Sequence, residues 1–421
     1  MAGHVSSRAT ADTAGRLVTG LVAERGDDPI FALNAEAQRR ARAGEDVLNS
    51  TLGTLMDDDG RLAVIPAVGE ALRRIAPERS AGYAPIAGVP AFLEAVVADV
   101  FGASPLARQC VAVATPGGTG ALYQAVTHFL EPGQELLTSS YYWSPYETIA
   151  LQARRGIATF PMFTSEGALD VGALERALER DRERQGRSLL FLNTPCHNPT
   201  GYTLDQRDWN ALVPVLTRAA RRQRLTVLVD LAYARYGGDE PTRWVSELAP
   251  LVGAATLLVA WSASKAFTQY GARVGACLAV EADPEERERV RAALNLACRG
   301  TWSNCNHLGM LAVTELLTDP AQRARADQER EGLRSLLSER VEEFNRLARA
   351  AGLSFPRYEG GFFVAVFTPD SERTAAVMRE RGVYVVPIAG AVRVAICSTP
   401  RPAIARLVEA LSAGLRAASG R

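Results

Sequence analysis

Lysine is almost missing from this chain. Of the 47 Lys and Arg residues among 421, one is lysine, Lys265, and the other 46 are arginine. Wherever charge alone is needed, arginine supplies it, so Lys265 calls for another explanation. Histidine is scarce as well, with four residues, and the six cysteines (Cys110, Cys196, Cys277, Cys298, Cys305 and Cys397) include no C-x-x-C pair. Neither set offers the ligand spacing of a zinc site. Scattered thiols fit a reducing compartment, with the cytoplasm as the expectation. Formal net charge is +0, which gives no basic footprint for nucleic acid or an anionic membrane. No apolar run reaches the roughly 18 to 20 residues of a membrane span. The opening "MAGHVSSRATADTAGRL" lacks the apolar stretch of a secretory signal, and residues 1–24 are expected to form an N-terminal arm.

What is present is an alternation of short β-branched runs with amphipathic segments. "CVAVATP" (110–116) reads as a strand that turns into a helix at "GGTGALYQAVTHFL". "SLLFLNTP" (188–195), "LTVLVDLAY" (225–233) and "TLLVAWSAS" (256–264) are continuous apolar runs of strand length. Such runs predict strands buried on both faces, in a mostly parallel sheet sandwiched by helices. Charged stretches at 283–297 and 327–352 predict outer helices, and "GGFFVAVF" (360–367) and "GVYVV" (382–386) predict further strands. The expected architecture is α/β, a large domain followed beyond roughly residues 305 to 325 by a smaller α+β one; taken with the family likeness set out below, the bounds are 62–319 for the large domain and 25–61 plus 320–421 for the small one.

In open α/β sheets, ligands bind beyond the carboxyl ends of the strands. The unusual residues fall there: Gly117 to Gly120, Asn198, Asp230 with Tyr233, and Lys265. A lysine in a partly desolvated setting loses its proton easily and attacks carbonyl carbons to form a Schiff base, which a guanidinium does not do. Ser262, Ser264 and Arg273 bracket Lys265, and two hydroxyls with an arginine suit a phosphate. The turn "PGGTG" lacks the G-x-G-x-x-G spacing of a dinucleotide fingerprint. Opening a helix, it adds backbone N–H groups and the Thr119 hydroxyl to the same anion site. Asp230 ends an apolar strand, where a carboxylate needs a partner. Trp143 reads either as a packing aromatic or as a platform for a flat ring.

In order and spacing these segments resemble the fold-type I pyridoxal phosphate enzymes, specifically the class I aminotransferases typified by aspartate and aromatic amino acid aminotransferases. The resemblance runs from "DDPIFAL" (27–33) and "TLGTLMDDDGR" (51–61), through "GYAPIAGVPAF" (82–92), "GGTGAL", "NTPCHNPTG" (193–201), "VDLAY" and "SASKAFTQYGARVG", to "RGTWSN" (299–304) and "AVRVAICS" (391–398). It implies the fold-type I architecture, pyridoxal 5'-phosphate as cofactor, and ping-pong transfer of an amino group between an L-amino acid (dicarboxylic or aromatic) and a 2-oxo acid. Lys265 would hold the cofactor as a Schiff base, with Asp230 and Tyr233 as the other catalytic groups. Gly118, Thr119, Ser262, Ser264 and Arg273 would cradle the phosphate, while Asn198 and Tyr233 would bond the phenolic oxygen and Trp143 would stack on the ring. Tyr83 would reach the phosphate from the second subunit of a homodimer. Arg393 would grip the substrate α-carboxylate with Gly53 nearby, and Arg299 would reach a distal carboxylate across the dimer.

Four positions depart from the family pattern. Gly117 replaces a serine, Pro145 and Tyr146 stand where Asn and His are frequent, and Leu55 stands near a position where an aromatic residue is frequent. A drifted substrate shell leaves open another reaction on the same cofactor, namely a β-lyase, a decarboxylase or an amino-acid oxidase. An effector domain of a DNA-binding regulator is disfavoured by the lack of a helix-turn-helix pattern and of basic surplus.

Overall fold

The computed structural model describes residues 29–238 and 240–420. The predicted arm, 1–24, lies outside the described residues. The chain order of strands is β1 (Leu48–Asn49), β2 (Cys110–Pro116), β3 (Glu135–Ser139), β4 (Gly156–Phe160), β5 (Arg187–Asn193), β6 (Arg224–Asp230), β7 (Thr256–Ser262) and β8 (Val274–Val280). Then come β9 (Phe363–Phe367), β10 (Val383–Tyr384), β11 (Val386–Ile388) and β12 (Ala391–Ala395). Seven of them form one sheet in the order β2-β8-β7-β6-β5-β3-β4. Only β8 runs against its neighbours in that sheet. Strands β6, β7 and β8 are buried almost throughout because helices cover both faces, and this is why they are apolar at every position rather than at alternate ones.

The parallel strands bring their carboxyl ends to one edge. The register pairs Asn193 with Asp230 across β5 and β6, and β7 ends alongside at Ser262. Antiparallel β8 begins at this same edge, with Thr115 opposite Gly275, so Arg273 just before it lies beside the turn that leaves β2.

A separate apolar cluster gathers β9, β12, the helix Ile404–Ala418 and the inner face of the helix Pro320–Ala350, including Phe344, Phe363, Val392 and Leu411. Leu48 and Leu55 join it from the N-terminal side. Leu55 is fully buried there. Two expectations need correction. The run "GVYVV" is two strands, because the chain changes partner at Val385: β10 pairs with β1, and β11 pairs with β12. The helix predicted from 327 starts at Pro320, where Asp319 Oδ1 accepts from Ala321 N and Gln322 N. The proline supplies a pre-set φ at a position whose N–H has no helical partner.

Arg340 ties the segment around Asp58 to this cluster. It is fully buried, donates to Asp58 Oδ1 at 2.6 and 3.1 Å, and donates to the Cys397 carbonyl at 2.9 Å. Removing the side chain loses these bonds and leaves a void in the cluster, although Asp58 keeps the Arg401 N–H and the Cys397 carbonyl keeps the Met56 N–H. Arg340→Ala is therefore expected to lower the unfolding free energy by about 2 kcal/mol or more, measured as a shift in the urea midpoint at unchanged slope.

Candidate active site

At the sheet edge lies a cavity of ≈ 160 Å³, and Lys265 is in its wall. The lysine sits in the short turn Ala263–Ala266 directly after β7, with its Nζ 5.3 Å from the centre of the Tyr233 ring. Burial lowers its pKa; Asp230 opposes that shift and the Arg273 guanidinium adds to it. The amine is thereby brought nearer its neutral, nucleophilic form.

Asp230 faces the lysine from the end of β6. One carboxylate oxygen, Oδ2, accepts from the Tyr146 phenol at 2.6 Å, and the other accepts from Ala232 N at 3.1 Å. Burial pushes its pKa up, while the Tyr146 and Ala232 hydrogen bonds and the Lys265 charge pull it down. Tyr233, one turn further on, is buried and receives a 3.3 Å hydrogen bond from Asn198 Nδ2. Burial raises the Tyr233 pKa, so the phenol keeps its proton and remains a donor. Asn198 Oδ1 is buried without a hydrogen-bond partner in the protein.

The anion cup forms at the β2–β8 end. Arg273 Nη1 donates to Ser264 Oγ at 3.1 Å and to the Tyr270 carbonyl at 3.0 Å, and Nη2 donates to the Pro116 carbonyl at 3.3 Å. Ser262 Oγ accepts from Ser264 N at 3.1 Å. Gly118 and Thr119 lie in the first turn of the helix Gly117–Phe129, where N–H groups lack helical partners, and line the same cavity. The departure at Gly117 has a steric cause. Its φ is +68°, and a Cβ there would lie 2.4 Å from Arg273 Nη2. Glycine makes room for the guanidinium, and no serine fits without displacing it.

Every residue expected to bind the cofactor lines this cavity except Tyr83. Tyr83 is 93% exposed, and Arg299 is exposed near the end of the helix Pro284–Thr301, donating to Ser303 Oγ at 2.8 Å. Neither lines the cavity. Arg393 stands off from it on β12, 5% exposed. Its guanidinium lies 4.5 Å from the centre of the Phe363 ring and donates to the Thr51 carbonyl at 2.7 Å. Gly53 lies against the same ring, and a Cβ there would come within 2.5 Å of Phe363 Cζ.

A lysine between a buried carboxylate and an anion cup, at the mouth of a mostly parallel sheet, is matched by comparison with known proteins. The family pattern described as aminotransferase class I and II covers residues 45–411. The chain belongs to the class I and II aminotransferases. It is 31% identical over 320 residues to the aromatic-amino-acid aminotransferase of Pseudomonas aeruginosa, covering 74% of this chain and 77% of that one. With the aspartate aminotransferase of the same organism it shares 28% over 373 residues, or 85% and 90% of the two chains. The crystal structure of an aminotransferase from Anaerococcus prevotii superposes with a TM-score of 0.90 at 28% identity, covering 95% of this chain and 99% of that one. The expected fold type is thus the observed one, and the protein is an enzyme that transfers amino groups.

Sequence reading passed over several residues of this aminotransferase site. Asn193 Nδ2 donates to the Asp230 carbonyl at 2.9 Å, and its Oδ1 accepts from Asn198 N at 2.7 Å, which locks two site residues together. Its signal is the same as that of Asp230, a polar residue ending an apolar strand. Phe363 gave no signal, because a phenylalanine in a strand reads as core.

His197 lies behind the Asn198 loop. Its Nδ1 is 2.8 Å from Thr200 Oγ1, and burial drives its pKa down to about 3. The folded state keeps it neutral, whereas the unfolded chain takes up a proton near pH 6.5. Stability is therefore complete above about pH 6.5 and falls as the pH drops toward 3. His197→Asn is expected to flatten this acid limb, recovering roughly 2 kcal/mol of the loss between pH 6.5 and 4.5 in urea unfolding.

Proposed function

We propose that the cavity holds pyridoxal 5'-phosphate and exchanges an amino group between an L-amino acid, aromatic or dicarboxylic, and a 2-oxo acid in two half-reactions. The observation that carries this reading is that one cavity is lined by an amine, a carboxylate and the residues of an anion cup. The fit is supported by the buried Asn198 Oδ1, a polar atom with no protein partner on a side chain that bonds the Tyr233 phenol, and by the Arg273 guanidinium lodged beside Gly117, where a Cβ would collide with it. The donors divide as the group requires. Arg273, Ser262, Ser264, Thr119 and the Gly118 N–H take the phosphate, Asn198 and Tyr233 take the phenolic oxygen, Asp230 takes the ring nitrogen, and Trp143 covers the ring face.

When bound, the cofactor supplies an aldehyde carbon and an electron-withdrawing ring. Lys265 would hold the group through its neutral amine, and Nζ would carry the proton at the substrate α-carbon. Asp230 balances a positive ring nitrogen. Arg393 binds the α-carboxylate bidentately, held in orientation by Thr51 and Phe363. The segments 25–61 and 320–421 act as a small domain closing over the large one, 62–319, which brings Arg393 to the cavity mouth and excludes water.

Tyr83 and Arg299 complete the site of a second copy in a homodimer, which accounts for an aromatic ring and a guanidinium both exposed in the single chain. Arg299 there meets the distal carboxylate of a dicarboxylic substrate. The thiol pattern supports a cytoplasmic enzyme. The family and the named relatives transfer amino groups, and this does not favour the lyase, decarboxylase or oxidase alternatives.

Lys265→Ala is expected to lose at least roughly a thousand-fold in turnover with the protein still folded. Near-normal transamination by that variant sinks the assignment. Arg299→Leu is expected to raise KM for aspartate or glutamate about ten-fold more than for phenylalanine or tyrosine. Equal effects on both classes remove Arg299 from the substrate site.

A further inference from the structure

Lys265 sits on a turn too short to hold itself. The helix Ala263–Ala266 has 4 residues, and a single turn fixes its backbone for very few hydrogen bonds of its own. Its start is tied by Ser262 Oγ, which accepts from Ser264 N at 3.1 Å. Beyond its end the chain leaves the helical path at Thr268, whose φ is +49°, so the last carbonyls need donors from elsewhere. The Tyr236 phenol donates to the Lys265 carbonyl at 3.4 Å, and Arg330 Nε donates to the Ala266 carbonyl at 2.7 Å. The second bond is shorter and its donor is charged, which makes it the stronger of the two.

Arg330 is built into the protein. It is 7% exposed, its guanidinium carbon lies 5.2 Å from the centre of the Phe267 ring, and Nη1 donates to Asp327 Oδ1 at 2.6 Å. It projects from the helix Pro320–Ala350 where that helix passes between apolar clusters. Ala326 belongs to the cluster around the large sheet, and Leu337 and Phe344 belong to that of β9 and β12.

We propose that Arg330 is a positioning residue for Lys265: its Nε–H anchors the Ala266 carbonyl to the long helix and so fixes the point from which the amine reaches into the cavity. This rests on the cofactor reading above. A lysine stem is flexible, so a backbone free to shift multiplies the arrangements in which Nζ misses its target. Losing the donor leaves a buried carbonyl unpaired, and the turn then moves toward water or another N–H. Arg273 keeps its bonds to the Tyr270 and Pro116 carbonyls in that case, so the anion cup outlasts the loss.

Glutamine and methionine separate this role from packing. Both reach as far as Nε, but glutamine ends there in an N–H donor and methionine in a methyl group. Both lose the guanidinium, so the stability cost of losing it is shared. The test measures the affinity of the cofactor-free chain for two ligands by fluorescence titration. Pyridoxal 5'-phosphate carries an aldehyde that condenses with Nζ, exchanging its carbon–oxygen double bond for a carbon–nitrogen one and releasing one water. Pyridoxamine 5'-phosphate carries an amine there and makes no such bond. Arg330→Met is expected to weaken binding of the aldehyde about ten-fold and to leave that of the amine within about two-fold. Arg330→Gln is expected to keep both within about two-fold of wild type. In a Lys265→Ala background, Arg330→Met is expected to change neither affinity. If the methionine variant does not fold, Asp327→Asn, which unfastens the outer end of the guanidinium, is expected to show the same selective loss at about three-fold; in that case an Asp327→Asn chain that matches wild type overturns the proposal. Equal weakening of both ligands, equal effects of methionine and glutamine, or a loss that persists without Lys265 also overturns the role given to Arg330. A wild-type chain that binds neither ligand overturns the cofactor reading and this inference together.

Discussion

Two opposite charges buried at one sheet edge, Asp230 and Lys265, set the terms for everything around them. Each is costly to remove from water, and neither is joined to the other by a direct hydrogen bond among the described residues. The carboxylate is stabilised by Tyr146 and Ala232, and the lysine is left without a comparable partner. That asymmetry brings the lysine nearer its neutral form. Burial pushes both groups toward neutrality, and hydrogen bonds offset part of that shift on the carboxylate side alone. The sheet makes this arrangement possible, because its parallel strands deliver Asn193, Asp230 and Ser262 to one line without any loop having to be ordered separately.

The anion cup depends on a second constraint, close backbone approach. Arg273 is itself held at a φ of +52° and is fixed by three oxygen acceptors before any ligand arrives. It reaches that position only because Gly117 has no side chain, and a Cβ at Gly275 would in turn lie 2.4 Å from the Gly117 backbone. The apparent loss of a hydroxyl donor at Gly117 is therefore compensated by geometry, since the guanidinium takes up the space. Such preorganisation removes the ordering cost that a mobile arginine would incur on binding.

Much of this was legible in the sequence because a parallel sheet writes its site in a readable form. Each apolar run ends in one polar residue, and those residues converge. The lone lysine stands out because arginine provides every other basic side chain. Less legible were the contacts made by residues that look like core. Phe363 resembles an ordinary packing aromatic, and only distance shows that it lies under a guanidinium. Leu55, read as part of a drifted substrate shell, is fully buried in the cluster around β9 and β12. The break between β10 and β11 was also hidden, because a five-residue apolar run does not reveal a change of strand partner.

The decisive question is whether Lys265 and its cavity move an amino group or break some other bond. The most direct measurement is the absorption spectrum of the protein loaded with pyridoxal 5'-phosphate, recorded after a single amino acid is added without any 2-oxo acid. With amino-group transfer the cofactor band is expected to convert once, stay converted, and return only when 2-oxoglutarate is supplied. A band that recovers unaided, with release of ammonia or consumption of oxygen, would contradict it.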